Sequence, residues 1–314
     1  MSTVKNYLSL IRFSHTIFAM PFALIGFFLG LDSRRSIHFF NRITGLRWPV
    51  HAVWSRGDAY PYSSADLFLR FVLVILSMIA ARSAAMSFNR YLDREFDAKN
   101  PRTAIREIPR GIIAANHALL FTIVSCILFM VACFFINRIC FFLSPVALFV
   151  VLFYSYTKRF TPLCHLILGI GLSLAPIGAY LAVTGVFAPL PILFSLAVIF
   201  WVAGFDIIYA LQDEEFDKSQ HLYSIPVWLG KPRALRVSEL FHLLSAAFVI
   251  WAGIYGEFGW WYWLGISVFG GMLIYQHAIV KPNDLSRVNL AFMTANGIAS
   301  VVFALLVIAD LLAR

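Results

Sequence analysis

Three oxygen-bearing side chains set at one spacing dominate the middle of the chain: Asn89, Asp93 and Asp97 stand at i, i+4 and i+8. On a helix that spacing stacks an amide and two carboxylates on one face, a turn apart. Like charges so placed repel. The neighbouring bases Arg82, Arg90, Arg94, Lys99 and Arg102 are mixed in phase around the helix, so a divalent cation is the simpler counter-charge. A second set repeats the arrangement, with Tyr209, Asp213 and Asp217 at the same spacing and Asp213-Glu-Glu-Phe-Asp217 echoing Asp93-Arg-Glu-Phe-Asp97. Each set follows an apolar run broken by one charge, Arg82 or Asp206, and each is followed by an Ile-Pro pair, Ile108-Pro109 and Ile225-Pro226. This is the pattern of an internal repeat, with acidic motifs near 82–110 and 206–230 of a single domain spanning 1–314.

The elements that carry these motifs are membrane helices. With 61% hydrophobic and 13% charged residues, and mean hydropathy +0.80, the chain is too apolar for a soluble domain. Its apolar stretches are long enough to cross a bilayer as helices, about 20 residues each, and too long for barrel strands. We expect an all-α bundle of about nine, near 14–31, 67–88, 117–136, 139–157, 163–184, 189–208, 236–255, 260–280 and 289–312. The first carries Pro21 and has no small-x-small cleavage site, so it reads as a retained helix rather than a signal peptide. Cys126, Cys133, Cys140 and Cys164 have no paired spacing and imply neither a disulfide nor a metal.

Lys and Arg placement sets the orientation. With a cytoplasmic amino terminus, sixteen bases fall on the cytoplasmic side and only Arg138 and Arg314 opposite, the 32–66 connection with its five arginines excepted. The acidic motifs end the second and sixth segments, four crossings apart, so both emerge on the same side. One shared site, on the cytoplasmic face of a multi-pass protein of a bacterial inner membrane, is the expected result.

Magnesium takes oxygen ligands, keeps several waters, and is commonly held by one or two carboxylates plus phosphate oxygens. Two facing sets of carboxylates with Asn89 would hold such ions when a diphosphate completes them. Lys158, Arg159, Arg94 and Arg102 supply the remaining counter-charge. A diphosphate at a membrane surface points to a lipid diphosphate. If the lipid is an isoprenoid, loss of diphosphate develops an allylic cation, which Tyr154, Tyr156 and Tyr209 are near enough in sequence to stabilise. Nothing in the chain calls for a nucleic-acid partner.

Four stretches in order carry a resemblance: LIRFSHTIFAMPFAL, ARSAAMSFNRYLDREFDAKNPRT, YSYTKRFTPLCHLILGIGLSLAPIGAYLAVTG and GFDIIYALQDEEFDKSQHLYSIP. The chain resembles the UbiA superfamily of membrane aromatic prenyltransferases, in the branch of 4-hydroxybenzoate polyprenyltransferases. The resemblance implies a nine-helix bundle around a cavity open to lipid and magnesium-dependent transfer of a polyprenyl chain to an aromatic ring carbon. It assigns magnesium and diphosphate binding to Asn89, Asp93, Asp97, Asp213 and Asp217, a diphosphate contact to Lys158, and cavity positions to Arg12 and Arg82. Asp206 and Tyr209 match the start of the second motif, with a role in orienting the acceptor or assisting loss of its proton. Where the family commonly opens with Asn-Asp, this chain has Asn89-Arg90. The implied partners are a polyprenyl diphosphate and an aromatic hydroxy acid: 4-hydroxybenzoate for a ubiquinone-type pathway, or a dihydroxynaphthoate for menaquinone.

A secondary transporter is the alternative of another class, yet transporter acids sit near the bilayer midplane at broken helices, whereas these cluster at helix ends. The histidines, His15 and His165 among them, are dispersed without zinc spacing, and helix packing is their expected role.

Overall fold

The computed structural model describes residues 3–11, 18–32 and 63–313. Arg12, His15, most of the 32–66 connection and the start of the first apolar segment lie outside the described residues. The chain runs as α1 (Thr3–Leu10), α2 (Met20–Leu31), α3 (Ser64–Leu92), α4 (Arg94–Lys99), α5 (Ala115–Ile136), α6 (Arg138–Thr157), α7 (Cys164–Thr184), α8 (Pro189–Ala210), α9 (Glu214–Ser219), α10 (Ile225–Leu229), α11 (Lys231–Tyr255), α12 (Trp260–Ile279) and α13 (Asn296–Leu312). Seven of the described helices are long and apolar enough to span a bilayer. The expected segments near 14–31 and 260–280 correspond to the short α2 and to α12, which stand outside those seven.

Local sequence explains where these helices start and stop. Ser63 caps α3 in a capping box, its hydroxyl accepting from Asp66 N–H while the Asp66 carboxylate accepts from Ser63 N–H. Pro189 opens α8, where a missing N–H costs nothing, and Gly185 closes α7 in the left-handed conformation. Within α13's approach, Leu290–Ala295 is a π-helical turn, and the Asn296 side chain donates to the Ala291 and Phe292 carbonyls that the wide turn frees.

The bundle core is aromatic. Phe22, Phe194, Trp201, Tyr262, Phe269 and Phe303 are fully buried where α2, α8, α11, α12 and α13 meet. Trp201 and Gln276 both donate to Asn296 Oδ1 at 2.9 Å, tying three helices through one buried amide. Close backbone approach needs glycine at two crossings: an added Cβ at Gly26 would lie 2.0 Å from the Pro176 carbonyl oxygen, and at Gly169, 2.4 Å from that of Ile199. Outside, Phe134, Phe135, Phe142, Phe149 and Ile274 are exposed, as an apolar belt facing lipid requires.

Candidate active site

Both acidic motifs begin inside a long helix and then break it in the same way. Asp93 ends α3 with φ −89° and ψ 6°, Asp213 ends a 3-10 turn after α8 with φ −104° and ψ 1°, and a six-residue helix follows each. The pitch survives the break, because Asp93 N–H donates to the Asn89 carbonyl at 2.9 Å and Asp97 N–H to that of Asp93 at 2.7 Å. The two stretches converge on one cavity of about 270 Å³. Asn89, Asp93 and Asp97 line it from one side, Asp206, Tyr209, Asp213 and Asp217 from the other, with Arg82, Arg102 and Lys158 between.

Among the described residues only Arg90 and Arg102, of the five bases around the first motif, pair with the motif acids, in keeping with their mixed phase, and the remaining partners come from elsewhere in the chain. Arg159 reaches from the end of α6 to Asp93 at 2.9 Å, and Arg106 from the loop after α4 to Asp97 at 2.6 Å. Arg90 lies 3.9 Å from the other Asp97 oxygen, and Lys158 3.9 Å from Asp217. Arg102 grips Asp213 through Nε, at 3.0 Å, and Nη2, and donates from Nη1 to the Tyr209 hydroxyl at 2.7 Å. Asn100 adds a bond to Asp213 at 3.1 Å, so the loop of the first motif is fastened to the second. Helical phase did not reveal these pairings, because Arg106 returns through a loop and Arg159 comes from another helix.

Arg94 is turned away from the cavity, donating to the Tyr91 carbonyl and to Glu95. Asn89 uses its amide N–H on Asp93 Oδ2, at 3.1 Å, leaving its carbonyl oxygen for another partner. Burial raises the pKa of Asp93 from the ordinary aspartate value, against the pull of Lys158 and Arg159. Arg102 is half-buried, which works against its charge, yet Asp213 and Tyr209 hold its pKa above the usual arginine value, so it stays charged.

A second layer lies deeper. Arg82 precedes Asn89 by seven residues, as Asp206 precedes Asp213, which places each roughly 10 Å further along its helix on nearly the same face. Arg82 lines the cavity with Nε buried and unpartnered, and no carboxylate pairs with it among the described residues. His165, expected to serve packing alone, is 2.7 Å from Asp206 and lines the same cavity. Below this layer an apolar chamber of about 360 Å³ opens among α3, α5, α6 and α7, sharing Arg82, Met86, Tyr154, Leu168 and Leu172 with the polar cavity.

Among the described residues no three acidic, His or Cys side chains converge as a preformed metal centre. The donor set is nevertheless all oxygen, the ligand type magnesium selects. Asp97 Oδ2 is a buried carboxylate oxygen with no hydrogen-bond partner. The residues therefore fit a hard cation once a competing anion shares the bases.

A membrane-helix bundle with arginines and carboxylates gathered over an apolar chamber has the form of an enzyme for an anionic lipid. The chain belongs to the UbiA prenyltransferase family, whose profile matches residues 52–298, and it is a prenyltransferase. It is 31% identical over 260 residues to the 4-hydroxybenzoate octaprenyltransferase of Nitrosomonas europaea, covering 82% of this chain and 87% of that one. The enzyme of the same name from Aromatoleum aromaticum is 29% identical over 264 residues, 84% of this chain and 88% of the other. In fold it is similar to the apo UbiA homologue of Aeropyrum pernix, with TM-score 0.73 and 26% identity, covering 95% and 97% of the two chains. The UbiA homologue of Archaeoglobus fulgidus bound to DMAPP and Mg2+ matches with TM-score 0.66 and 21% identity over 98% of this chain and all of the other.

Proposed function

We propose that the enzyme transfers a polyprenyl group from its diphosphate to the ring of 4-hydroxybenzoate, in ubiquinone-type quinone synthesis, with magnesium and with the site facing the cytoplasm. The observation that carries this reading is the juxtaposition of the charged cavity with the apolar chamber, which suits a diphosphate with an isoprenoid tail. The names of the curated relatives support the acceptor, and the magnesium in the Archaeoglobus homologue supports the metal.

Asn89, Asp93, Asp97, Asp213 and Asp217 would hold the magnesium, which when bound neutralises diphosphate oxygens and makes the group a better leaving group. The chain's own bases do the rest at that end. Arg102, Arg106 and Lys158, now held by carboxylates, line the cavity and share themselves with the diphosphate as it enters, while Arg159 acts on it through Asp93. Charge then builds on the leaving oxygens inside a fixed array of cations, where its stabilisation needs little reorganisation. Tyr154 and Tyr209 line the step between the layers; the Tyr209 ring already lies under the Arg102 guanidinium at 5.0 Å and against Phe292 at 4.3 Å, which leaves Tyr154 as the ring for the developing allylic cation. The apolar chamber keeps water from that cation.

On the acceptor side, Arg82 has a buried, unpartnered Nε and no carboxylate partner among the described residues, and a benzoate supplies one. Asp206 and Tyr209 stand at the level where the ring would meet the allylic carbon. Arg12, outside the described residues, belongs to the same proposal.

The test is product formation. Membranes containing the protein are given magnesium, geranyl diphosphate and either 4-hydroxybenzoate or a dihydroxynaphthoate, which presents the same pairing of acid and phenol. Prenylated 4-hydroxybenzoate, lost with EDTA, is the expected mass. Product from the naphthoate alone would reassign the pathway, and no product from either, with folded protein, would remove the transferase reading of the acceptor.

A further inference from the structure

We propose that His165 is a positioning residue that aims Asp206 as the acceptor of the proton released from the aromatic ring, an inference that rests on the proposed ring prenylation. The geometry fixes the histidine's tautomer. The Ile225 N–H donates to His165 Nε2 at 3.3 Å, and a backbone N–H cannot accept, so Nε2 carries the lone pair. Nδ1 therefore carries the proton and donates it to Asp206 Oδ2 at 2.7 Å. His165 is 2% exposed and held on both nitrogens, so it presents one donor in one place.

Asp206 is consequently pinned by one oxygen only. Oδ1 makes no hydrogen bond among the described residues, and the side chain, 24% exposed, lines the cavity. It is also the carboxylate of this cavity that faces no Lys or Arg partner among the described residues, whereas Asp93, Asp97, Asp213 and Asp217 each have one. Its depth, about two helical turns inside Asp213, separates it from the diphosphate layer. A base there can act on the ring without competing for the diphosphate's cations.

The step balances without any further reactant. The allylic C–O bond breaks and the diphosphate leaves with its electron pair. A ring carbon beside the phenol forms the new C–C bond to the allylic carbon. The C–H bond at that ring carbon then breaks, its electron pair restores the aromatic sextet, and the proton passes to Asp206 Oδ1 and on to solvent through the exposed edge of the cavity.

The experiment compares turnover of ordinary 4-hydroxybenzoate with acceptor deuterated at the ring positions beside the hydroxyl, in wild type, Asp206→Asn, His165→Ala and His165→Asn. In the wild type, proton loss is fast and turnover is equal for the two acceptors. Asp206→Asn lowers kcat about 100-fold, the scale of a lost general base, and the deuterated acceptor becomes slower still. His165→Ala lowers kcat about 10-fold or more, also with an isotope effect, as loss of a supporting partner does. His165→Asn, whose amide N–H replaces the Nδ1 donor, recovers much of the rate. KM for the prenyl diphosphate changes less than about threefold in all three variants, since its site lies in the outer layer, and that binding also reports a folded protein. Variants slowed without any isotope effect, or an asparagine no better than alanine, would overturn the inference. Wild-type protein inactive on every acceptor would remove the ring-prenylation reading and this inference with it.

Discussion

Arg102 holds the Asp213 carboxylate through two nitrogens across 111 residues of sequence, so the loop after the first acidic motif is locked onto the second. Its third contact, to the Tyr209 hydroxyl, extends the lock one turn deeper. The pair is thus both a structural clasp and a store of charge for a diphosphate, and substitutions there separate the two roles.

Arg102→Lys keeps the charge but loses the fork that reaches both carboxylate oxygens and Tyr209. We expect KM for the prenyl diphosphate to rise about 10-fold or more, equivalent to at least about 1.4 kcal/mol, with little change in thermal stability because the pair is partly exposed. Steady-state kinetics in detergent or nanodiscs, beside a melting curve, reads both. A large fall in melting temperature with unchanged KM would assign Arg102 to the fold alone.

The pH dependence follows from Asp93. Its raised pKa means that protonation begins, as pH falls, above the ordinary aspartate value of about 3.9. A protonated Asp93 cannot serve as a cation ligand, so kcat/KM falls on the acid side earlier than an ordinary carboxylate would dictate. Magnesium and protons compete for the same oxygens, and a tenfold increase in magnesium should move the acid limb to lower pH. An acid limb indifferent to magnesium would contradict this role for Asp93.

Chain length is limited by the apolar chamber. Gly178 lines it, and a Cβ there meets nothing within 4 Å, so a large side chain enters open space rather than a packed wall. Gly178→Phe should leave geranyl transfer nearly intact and lower kcat/KM for long polyprenyl donors about 10-fold or more, as lost apolar contact of a few methylenes implies. Equal losses for short and long donors would place the tail elsewhere.

The α2–α7 crossing is the most sensitive packing contact. Gly26→Ala places a methyl carbon 2.0 Å from the Pro176 carbonyl oxygen unless the helices separate. Overpacking of this kind costs about 1–3 kcal/mol. A lower melting temperature with unchanged substrate KM is expected, and an unchanged melting temperature would show that the helices yield without cost.

Much of this was legible in the residues themselves. The i, i+4, i+8 sets named both acidic motifs, because helical phase is a local property that short spacing records. Hydropathy placed most of the long helices within a few residues, since a bilayer imposes length. Spacing did not show that Asp93 and Asp213 end their helices in the same bend, which depends on the caps and on tertiary pull. It also missed Arg106, which a loop folds back onto Asp97 nine residues earlier, the Arg159–Asp93 pairing and the His165–Asp206 pair, the last two joining residues distant in sequence through helix packing. Arg94, in the same motif and of the same charge as Arg102, faces away; its direction is set by Tyr91 and Glu95 beside it.

The central claim is that the two acidic motifs make one diphosphate site. Its most direct test is the magnesium-dependent affinity for geranyl diphosphate of Asp93→Asn, Asp213→Asn and the double variant. If the motifs share one ligand, either single substitution removes most of the affinity and the double variant loses little more, as coupled residues in one network do. Losses that simply add, with a magnesium-dependent site surviving in each single variant, would mean two independent sites and contradict the account.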